Sequence, residues 1–117
     1  MEICVVTRNS RTCVTEITGV LRTERDVVDF IGLCGEQNAD RLLIQEDSLP
    51  DEFFDLKSGL AGMVLQKFMN YHLIAAFVVS PTKLRGRFKE LALEASRNRH
   101  FRFFPEKDAA LNWLWNG

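Results

Sequence analysis

The segment from Asp55 to Gly62 contains the residues whose types and order are most typical of a binding loop. Ser58 lies where a helix is predicted to begin, so its hydroxyl would cap that helix. A phosphate at the same position would meet free backbone N–H groups and the positive end of the helix dipole. Lys57 would add charge, while Gly59 and Gly62 would both allow close packing on the sheet. The segment predicts either a binding or phosphorylation site, formed by Asp55, Lys57, Ser58, Gly59 and Gly62, or a helix cap with two packing glycines.

Five carboxylates at and just before the start of that segment offer a second kind of chemistry. Clustered Asp and Glu side chains perform acid–base catalysis or hold a divalent metal ion. Their spacing here is diagnostic of neither role, and two of them are typical turn residues. An enzyme, or a small-ligand or metal binder, that uses the acidic loop 46–55 with the loop 80–83 is therefore an alternative. The carboxylates are Glu46, Asp47, Asp51, Glu52 and Asp55.

A basic segment over residues 83–102 is the third candidate. On a helix, its alternation of cations at odd positions spreads charge around the axis, which indicates a solvated outer face. Neutralisation of phosphates by these cations would instead make a nucleic-acid contact. The 15 basic and 16 acidic residues of the chain leave a net charge of −1, which argues against a nucleic-acid partner. The cations are Lys83, Arg85, Arg87, Lys89, Arg97, Arg99 and Arg102.

The two histidines do not complete a nucleophile–histidine arrangement. His72 and His100 each begin a predicted strand, whereas Ser58 lies beyond the carboxyl end of one. We therefore expect Ser58 and His72 at opposite edges of the sheet, and both histidines as exposed or locally hydrogen-bonded side chains.

Strand-like and helix-like patterns alternate along the chain. Residues 2–7 and 12–18 are rich in β-branched residues around a polar turn and predict a hairpin. Further apolar runs predict buried strands, of which Leu73–Val79 should be central. Amphipathic spacing, with caps at Thr23 and at Ser80-Pro81, predicts the intervening helices. After the hairpin, the predicted elements are a helix over 23–35, a strand over 41–45, a helix from about Phe53 to Asn70, a strand over 73–79, a helix over 80–95, a strand over 101–104 and a final helix from 105.

The order ββαβαβαβα predicts an α/β fold. We expect one domain over residues 1–117, with a single mostly parallel sheet and an N-terminal antiparallel hairpin. In such sheets, binding sites gather in the loops beyond the carboxyl ends of the strands. Here those loops are 45–58 and 80–83.

Segments spread over nearly the whole chain carry a likeness to one family. They are Glu52–Gly62, Leu65–Tyr71, Leu73–Val79, Ser96–Arg99 and Ala109–Leu114. Through them the chain resembles the bacterial family called domain of unknown function 4180. That family has no established activity, so the resemblance implies a fold rather than a function. After the fourth strand the family usually has a Gly-Asp type loop, whereas this chain has a short connection, Val79-Ser80-Pro81-Thr82.

A shorter likeness covers Asp55-Leu56-Lys57-Ser58-Gly59-Leu60. It is similar to the regulatory loop of STAS domains, the anti-sigma factor antagonists, which reads like Asp-Ser-Ser-Gly-Leu-Gly and carries a phosphorylatable serine. Ser58 matches that serine, while Asp55 lies one residue too far upstream. Because STAS domains share the rough order of elements predicted here, the likeness implies a STAS-like fold with a regulatory loop at Ser58.

Composition narrows the class of protein further. No apolar stretch reaches the length of about 20 residues that a membrane span needs, and the N-terminus lacks the features of a signal peptide. An odd number of widely spaced cysteines indicates reduced thiols. The first two are predicted to be small buried side chains, with a redox pair on the hairpin as the alternative. We therefore predict a cytoplasmic protein that contacts no membrane, with free thiols at Cys4, Cys13 and Cys34.

The leading prediction is a small, non-catalytic binding or regulatory domain whose site lies around Asp55–Gly62. The sequence indicates no cofactor and no metal-ligand set, and it contains neither glycine-rich nucleotide motif. A protein partner is expected, and self-association into a homo-oligomer is left open. Phosphorylation of Ser58 would add a charge of about −1.5 to −2 and so change how the partner docks.

Overall fold

The computed structural model describes residues 2–116. Its elements are β1 (Ile3–Arg8), β2 (Arg11–Ile17), α1 (Glu24–Glu36), β3 (Arg41–Gln45), α2 (Leu60–Asn70), β4 (Ile74–Val78), α3 (Gly86–Ala95), β5 (Phe101–Phe104) and α4 (Lys107–Asn116). The strands form one sheet in chain order, β1 to β5. β1 and β2 are antiparallel, and each later neighbouring pair is parallel. The predicted α/β class, sheet type and order of elements are confirmed.

The opening hairpin turns over Asn9 and Ser10, both of which have a left-handed backbone (φ 50° and 66°). Such a two-residue turn matches the right-handed twist of the paired strands. Further along the hairpin, Val5 lies opposite Val14 but Cys4 lies opposite Glu16, so β2 carries one extra residue there. This bulge changes which side chains of β2 share a face.

The three cysteines are free thiols in different surroundings. Cys13 and Cys34 are fully buried, and burial raises the pKa of their thiols to about 11 and about 12. Cys4 is exposed, so its predicted burial is wrong. Across the hairpin Cys4 faces Glu16, whereas Cys13 faces Val6, so the two thiols are not cross-strand partners. The two buried cysteines serve as small apolar side chains.

A capping box fixes the start of α1. Thr23 Oγ1 accepts a hydrogen bond from the backbone N–H of Asp26 at 3.2 Å, and the Asp26 carboxylate accepts one from the Thr23 N–H at 3.0 Å. Each bond satisfies an N–H that the helix itself leaves unpaired. Val27, Phe30 and Cys34 are then buried, which confirms the predicted apolar face of this helix.

The two faces of the sheet are covered unequally. Helices α1, α2 and α3 contribute to the larger apolar core, which contains a group of phenylalanine rings. Phe53 is fully buried there, with its ring centroid 5.8 Å from that of Phe77 and 5.7 Å from that of Phe88. Helix α4 covers the other face and forms a smaller core, whose buried members are Cys13, Leu43, Ala76, Ala110 and Leu114.

Helix α2 begins later than the sequence predicts. It starts at Leu60 rather than near Phe53, because Gly59 has a left-handed backbone (φ 76°) that the α-helix cannot include. The chain before it forms short 3₁₀ turns instead. They cover Glu46–Ser48, Asp51–Phe54 and Leu56–Ser58.

The predicted helix start at Ser80-Pro81 is also wrong. Pro81 opens a 3₁₀ turn that ends at Lys83, and the Ser80 hydroxyl caps no N–H of that turn. Arg85 is extended, and α3 begins only at the following glycine. Proline suits the first position of a 3₁₀ turn as well as that of an α-helix, so its presence alone does not distinguish them.

All the strands join a single sheet, and the expectation of one domain over residues 1–117 stays a prediction. Its first and last residues, Met1 and Gly117, lie outside the described part of the chain. Within residues 2–116, none of the helices combines the length and the apolar character needed to cross a membrane.

Candidate functional site at the carboxyl rim of the sheet

Two loops meet beyond the carboxyl ends of β3 and β4, and we call residues 45–58 and 80–88 the carboxyl rim. Glu46, which follows β3, joins them: its Oε1 accepts hydrogen bonds from the backbone N–H of Ser80 at 2.7 Å and from the Ser80 hydroxyl at 2.9 Å. These bonds hold the pKa of the Glu46 carboxyl below its usual range. The carboxylate therefore holds the two loops together, and we call this contact between Glu46 and Ser80 the latch.

Ser58 is exposed at the end of the last 3₁₀ turn of the rim. Its Oγ lies 2.6 Å from the carbonyl oxygen of Glu52 and 2.8 Å from that of Asp55, and it accepts the N–H of Leu60 at 3.2 Å. Gly59, rather than Ser58, is the N-cap residue of α2. The serine hydroxyl nevertheless satisfies the first N–H of the helix, and it ties that helix to the turns before it.

Asp55 stabilises the same turn from its other side. Its Oδ1 accepts the backbone N–H of Lys57 at 3.1 Å, the geometry of an Asx turn. The carboxylate and the Ser58 hydroxyl together fix the backbone of residues 55–58. The hydrogen bonds of this turn thus explain the spacing of Asp55, Lys57 and Ser58, and the sequence pattern alone does not reveal them.

The two glycines of the predicted site do not pack against the sheet. A Cβ placed on Gly59 or on Gly62 would meet no atom within 4 Å, and both residues are exposed. The prediction of close glycine packing is therefore wrong. Gly59 is required for its left-handed backbone, which L side chains rarely adopt.

A cleft of about 540 Å³ opens at the rim, between residues 54–57 and the start of α3. Its apolar wall includes Phe54 and Phe88, whose rings meet edge to face with centroids 5.0 Å apart. Its polar wall carries more positive than negative charge. We call it the rim cleft; it is lined by Phe54, Asp55, Leu56, Lys57, Arg85, Arg87 and Phe88.

The structure divides the predicted site residues between two clefts. Asp55 and Lys57 line the rim cleft, whereas Ser58 and Gly59 line a neighbouring cleft of about 420 Å³ beside Arg22. Gly62 lines neither of these two clefts. Residues 55–58 form the wall between them, so a change in their backbone alters both clefts.

The acidic residues of the rim have structural partners or lie apart. Glu46 holds Ser80, Asp55 holds its own turn, and Asp51 lies 3.8 Å from the ammonium of Lys83. Among residues 2–116, no three His, Cys, Asp or Glu side chains are grouped closely enough to hold a metal ion. In the described part of the chain, the acidic loop therefore contains no group of three such side chains that could bind a metal ion.

Ser58 and His72 lie at opposite ends of α2, as predicted. The 11 residues of that helix separate them by roughly 16 Å at the usual rise per residue. His72 is exposed. His100 precedes β5 and so lies away from the rim. It is half-buried, and its Nδ1 is buried without a hydrogen-bond partner among residues 2–116, so the prediction of an exposed or locally hydrogen-bonded side chain is wrong for His100.

The basic segment 83–102 does not form one surface, because α3 carries the chain from one end of the sheet to the other. Lys83, Arg85 and Arg87 lie at the carboxyl rim. The later arginines lie at the amino ends of β4 and β5, where they line a separate cleft of about 590 Å³. Most cations of the segment are exposed, as predicted, but they belong to two distinct regions at opposite ends of α3.

Sequence reasoning missed Phe54, Arg85, Arg87 and Phe88 as residues of the rim cleft. All four lie in, or within a few residues of, the loops 45–58 and 80–83 that follow parallel strands. That topological rule, applied to both loops together, would have placed them near Asp55.

The comparison with family models identifies the chain. The model described as Domain of unknown function (DUF4180) matches residues 8–114, so the chain belongs to this family, and the predicted resemblance is confirmed. No curated protein and no solved structure gives a significant match. The likeness to STAS domains stays a prediction.

Proposed function

We propose that this member of the DUF4180 family is a non-catalytic regulatory domain that binds a protein partner at the carboxyl rim, and that modification of Ser58 controls this binding. The observation that carries the proposal is the position of the Ser58 hydroxyl. Ser58 is an exposed residue, and its hydroxyl fixes the turn that forms one wall of the rim cleft.

The rim cleft has the composition of a site that anchors a partner side chain. Aromatic residues and arginine dominate the energetics of protein interfaces, and both types line this cleft. Phe54 is partly exposed, and its ring packs edge to face against the fully buried ring of Phe53, which holds it in position. A partner segment with an apolar side chain flanked by carboxylates would complement Phe54 and Phe88 together with Lys57, Arg85 and Arg87.

Phosphorylation of Ser58 would remove the only hydrogen that this side chain can donate. The carbonyl oxygens of Glu52 and Asp55 would then face phosphate oxygens instead of a hydroxyl, and oxygen acceptors repel one another. The added charge of about −1.5 to −2 would also lie in the same cleft as Glu52, which lines it together with Ser58. The turn would therefore have to open. Arg22, which lines the same cleft as Ser58, would then be available to pair with the phosphate.

The likeness of Asp55–Leu60 to the regulatory loop of STAS domains agrees with this role for Ser58. In both, a serine precedes Gly-Leu after a strand. We also propose a cytoplasmic location, which agrees with three free thiols, two of them buried and held protonated by high pKa values.

The proposal is tested by the modification itself and by a partner that depends on it. Intact-mass analysis of the protein purified from its own cells should show a phosphorylated fraction that is absent from Ser58→Ala. Captures from the same cells with wild type and Ser58→Asp should differ in one or more partners, because the aspartate imitates the added charge.

Charge reversals at the two ends of the molecule provide matched controls. Arg87→Glu, at the rim, should lose the same partners, whereas Arg99→Glu, at the opposite end of the sheet, should keep them. Identical partners for all variants, with no modified species, would contradict the proposal.

A further inference from the structure

A second cationic cleft lies at the amino ends of β4 and β5, away from the proposed partner site. Ile74 begins β4, Arg102 belongs to β5, and Trp113 belongs to α4. The connection from α3 to β5 supplies the remaining wall. We call it the amino-end cleft; its volume is about 590 Å³ and it is lined by Ile74, Arg97, Asn98, Arg99, Arg102 and Trp113.

Arg102 is held in place before any ligand binds. Its guanidinium carbon lies 5.5 Å from the centroid of the Trp113 ring, and its Nη2 donates to the carbonyl oxygen of Ser96. Its Nε is buried and has no hydrogen-bond partner among residues 2–116. The Trp113 ring is itself packed against Phe104, with centroids 5.7 Å apart. A guanidinium fixed in this way loses little conformational freedom when it binds an anion.

Arg97 and Arg99 add two exposed guanidinium groups to the same cleft. Neither forms an ion pair with another of residues 2–116, and no carboxylate is among the lining residues. Asp40 precedes β3 at the same edge of the sheet, but its carboxylate lies 3.8 Å from Arg41 and does not line the cleft. The cleft therefore concentrates positive charge in a chain whose net charge is −1.

We propose that the amino-end cleft binds a small organic diphosphate, of which a nucleoside diphosphate is the model. Three guanidinium groups match the charge of a diphosphate, and their planar donors suit phosphate oxygens. Ile74 and the Trp113 ring offer an apolar wall to the organic part, and the volume lies within the range of small-molecule sites, about 300–1,000 Å³.

The arrangement favours a small molecule over a nucleic acid. A nucleic-acid strand needs cations along a track that follows its backbone. Here the three arginines gather around one cleft, and the cations of the rim are separated from it by the length of β4, roughly 17 Å.

The test is calorimetric titration of the whole protein with adenosine diphosphate, pyrophosphate and a single-stranded oligonucleotide. The double variant Arg97→Gln with Arg99→Gln removes two charges from the cleft at exposed positions. The control, Arg85→Gln with Arg87→Gln, removes the same charge from the rim. Trp113 fluorescence, read in a Trp115→Phe background, reports whether a ligand enters this cleft, and circular dichroism establishes that each variant is folded.

We expect adenosine diphosphate to bind and to change the fluorescence of Trp113. Its affinity should fall at least tenfold in the cleft variant and by less than twofold in the rim variant. Pyrophosphate should bind more weakly, because it lacks the organic part. Three results would each overturn the proposal: no binding of either phosphate to wild type, an equal loss in both variants, or tighter binding of the oligonucleotide with both sets of arginines required.

Discussion

The rim cleft and the amino-end cleft contain the same kinds of residue and yet differ in their electrostatics. Each combines arginines with aromatic side chains around a volume of about 540 or 590 Å³. At the rim, carboxylates lie among the cations: Asp55 lines the cleft, and Asp51 lies near Lys83. At the other end, no carboxylate lines the cleft. Neighbouring residues, rather than the arginines themselves, therefore decide whether a cationic cleft suits a mixed partner surface or a strongly anionic ligand.

The clefts also rest on different cores. The rim cleft lies over the larger phenylalanine cluster, and the amino-end cleft lies beside the smaller core under α4. This difference, together with the electrostatic one, leads to the following expectations, from the largest effect to the smallest.

Phe53→Ala should have the largest effect on stability. The ring is fully buried between the rim and the sheet, so its loss should lower the free energy of unfolding by about 3–5 kcal/mol. Trp113→Ala, a partly exposed residue of the other cleft, should cost about 1–2 kcal/mol. Urea unfolding of both variants measures the two losses in the free energy of unfolding. Equal losses would mean that the core beneath the rim cleft is no more stabilising than the core beside the amino-end cleft.

Glu46→Gln should weaken the latch between the rim loops. The carboxylate accepts two hydrogen bonds from Ser80, and such charged bonds contribute about 1.5–3 kcal/mol, so we expect a loss near the lower end. Asp47→Asn, the neighbouring exposed carboxylate, should change the free energy of unfolding by less than about 0.5 kcal/mol. A similar loss for both variants in urea unfolding would show that the latch adds no stability.

The contribution of Glu46 should also depend on pH. Because its folded pKa is lowered, the stabilisation is fully present above the unfolded value of about 4.5 and is lost as the pH falls through the lower folded pKa. The difference in unfolding free energy between wild type and Glu46→Gln should therefore be constant near neutral pH and shrink below about pH 4.5. A difference that stays constant down to pH 3 would contradict this assignment.

Ser58→Ala should lower stability by about 1 kcal/mol, the usual effect of removing a capping hydroxyl, because the Leu60 N–H and the turn at 52–58 lose their partner. Lys57→Ala, at the preceding exposed position, is the control and should be nearly neutral. Amide hydrogen exchange should locate the change in residues 52–60. If exchange there equals that of wild type, the hydroxyl does not hold the turn.

Arg102→Lys should have the smallest effect on folding. Lysine keeps the charge but cannot reproduce both the stacking on Trp113 and the bond to the Ser96 carbonyl, so we expect a loss below about 1 kcal/mol. The same variant should weaken adenosine diphosphate binding measurably. Unchanged binding would mean that a fixed guanidinium is not needed in the amino-end cleft.

The parts of the fold that were predicted correctly depend on local patterns. The capping box at Thr23 and Asp26 involves residues three apart, and the apolar run of β4 identifies a buried strand by itself. The hairpin is likewise set by its turn at Asn9 and Ser10. In each case, neighbouring residues contain the information that decides the structure.

The rim could not be predicted in the same way, because its geometry depends on distant contacts. Glu46 contacts Ser80, which is 34 positions further along the chain. The Ser58 hydroxyl contacts the carbonyl group of Glu52 in a 3₁₀ turn, and that turn has no clear sequence pattern. The spacing of the cations in the basic segment likewise does not show that α3 places the two halves of that segment at opposite ends of the sheet. Sequence reasoning found Ser58 and Asp55, but it could not show that they face different clefts.

The most direct test of the account is a comparison of assigned ¹H–¹⁵N spectra of wild type and Ser58→Asp. The account predicts chemical-shift changes at residues 52–60 and across the rim cleft at Arg85–Phe88, with residues 97–102 and the Trp113 indole unchanged. Changes confined to the immediate neighbours of Ser58, with Phe54 and Arg85–Phe88 unmoved, would contradict the claim that this hydroxyl controls the shape of the rim cleft.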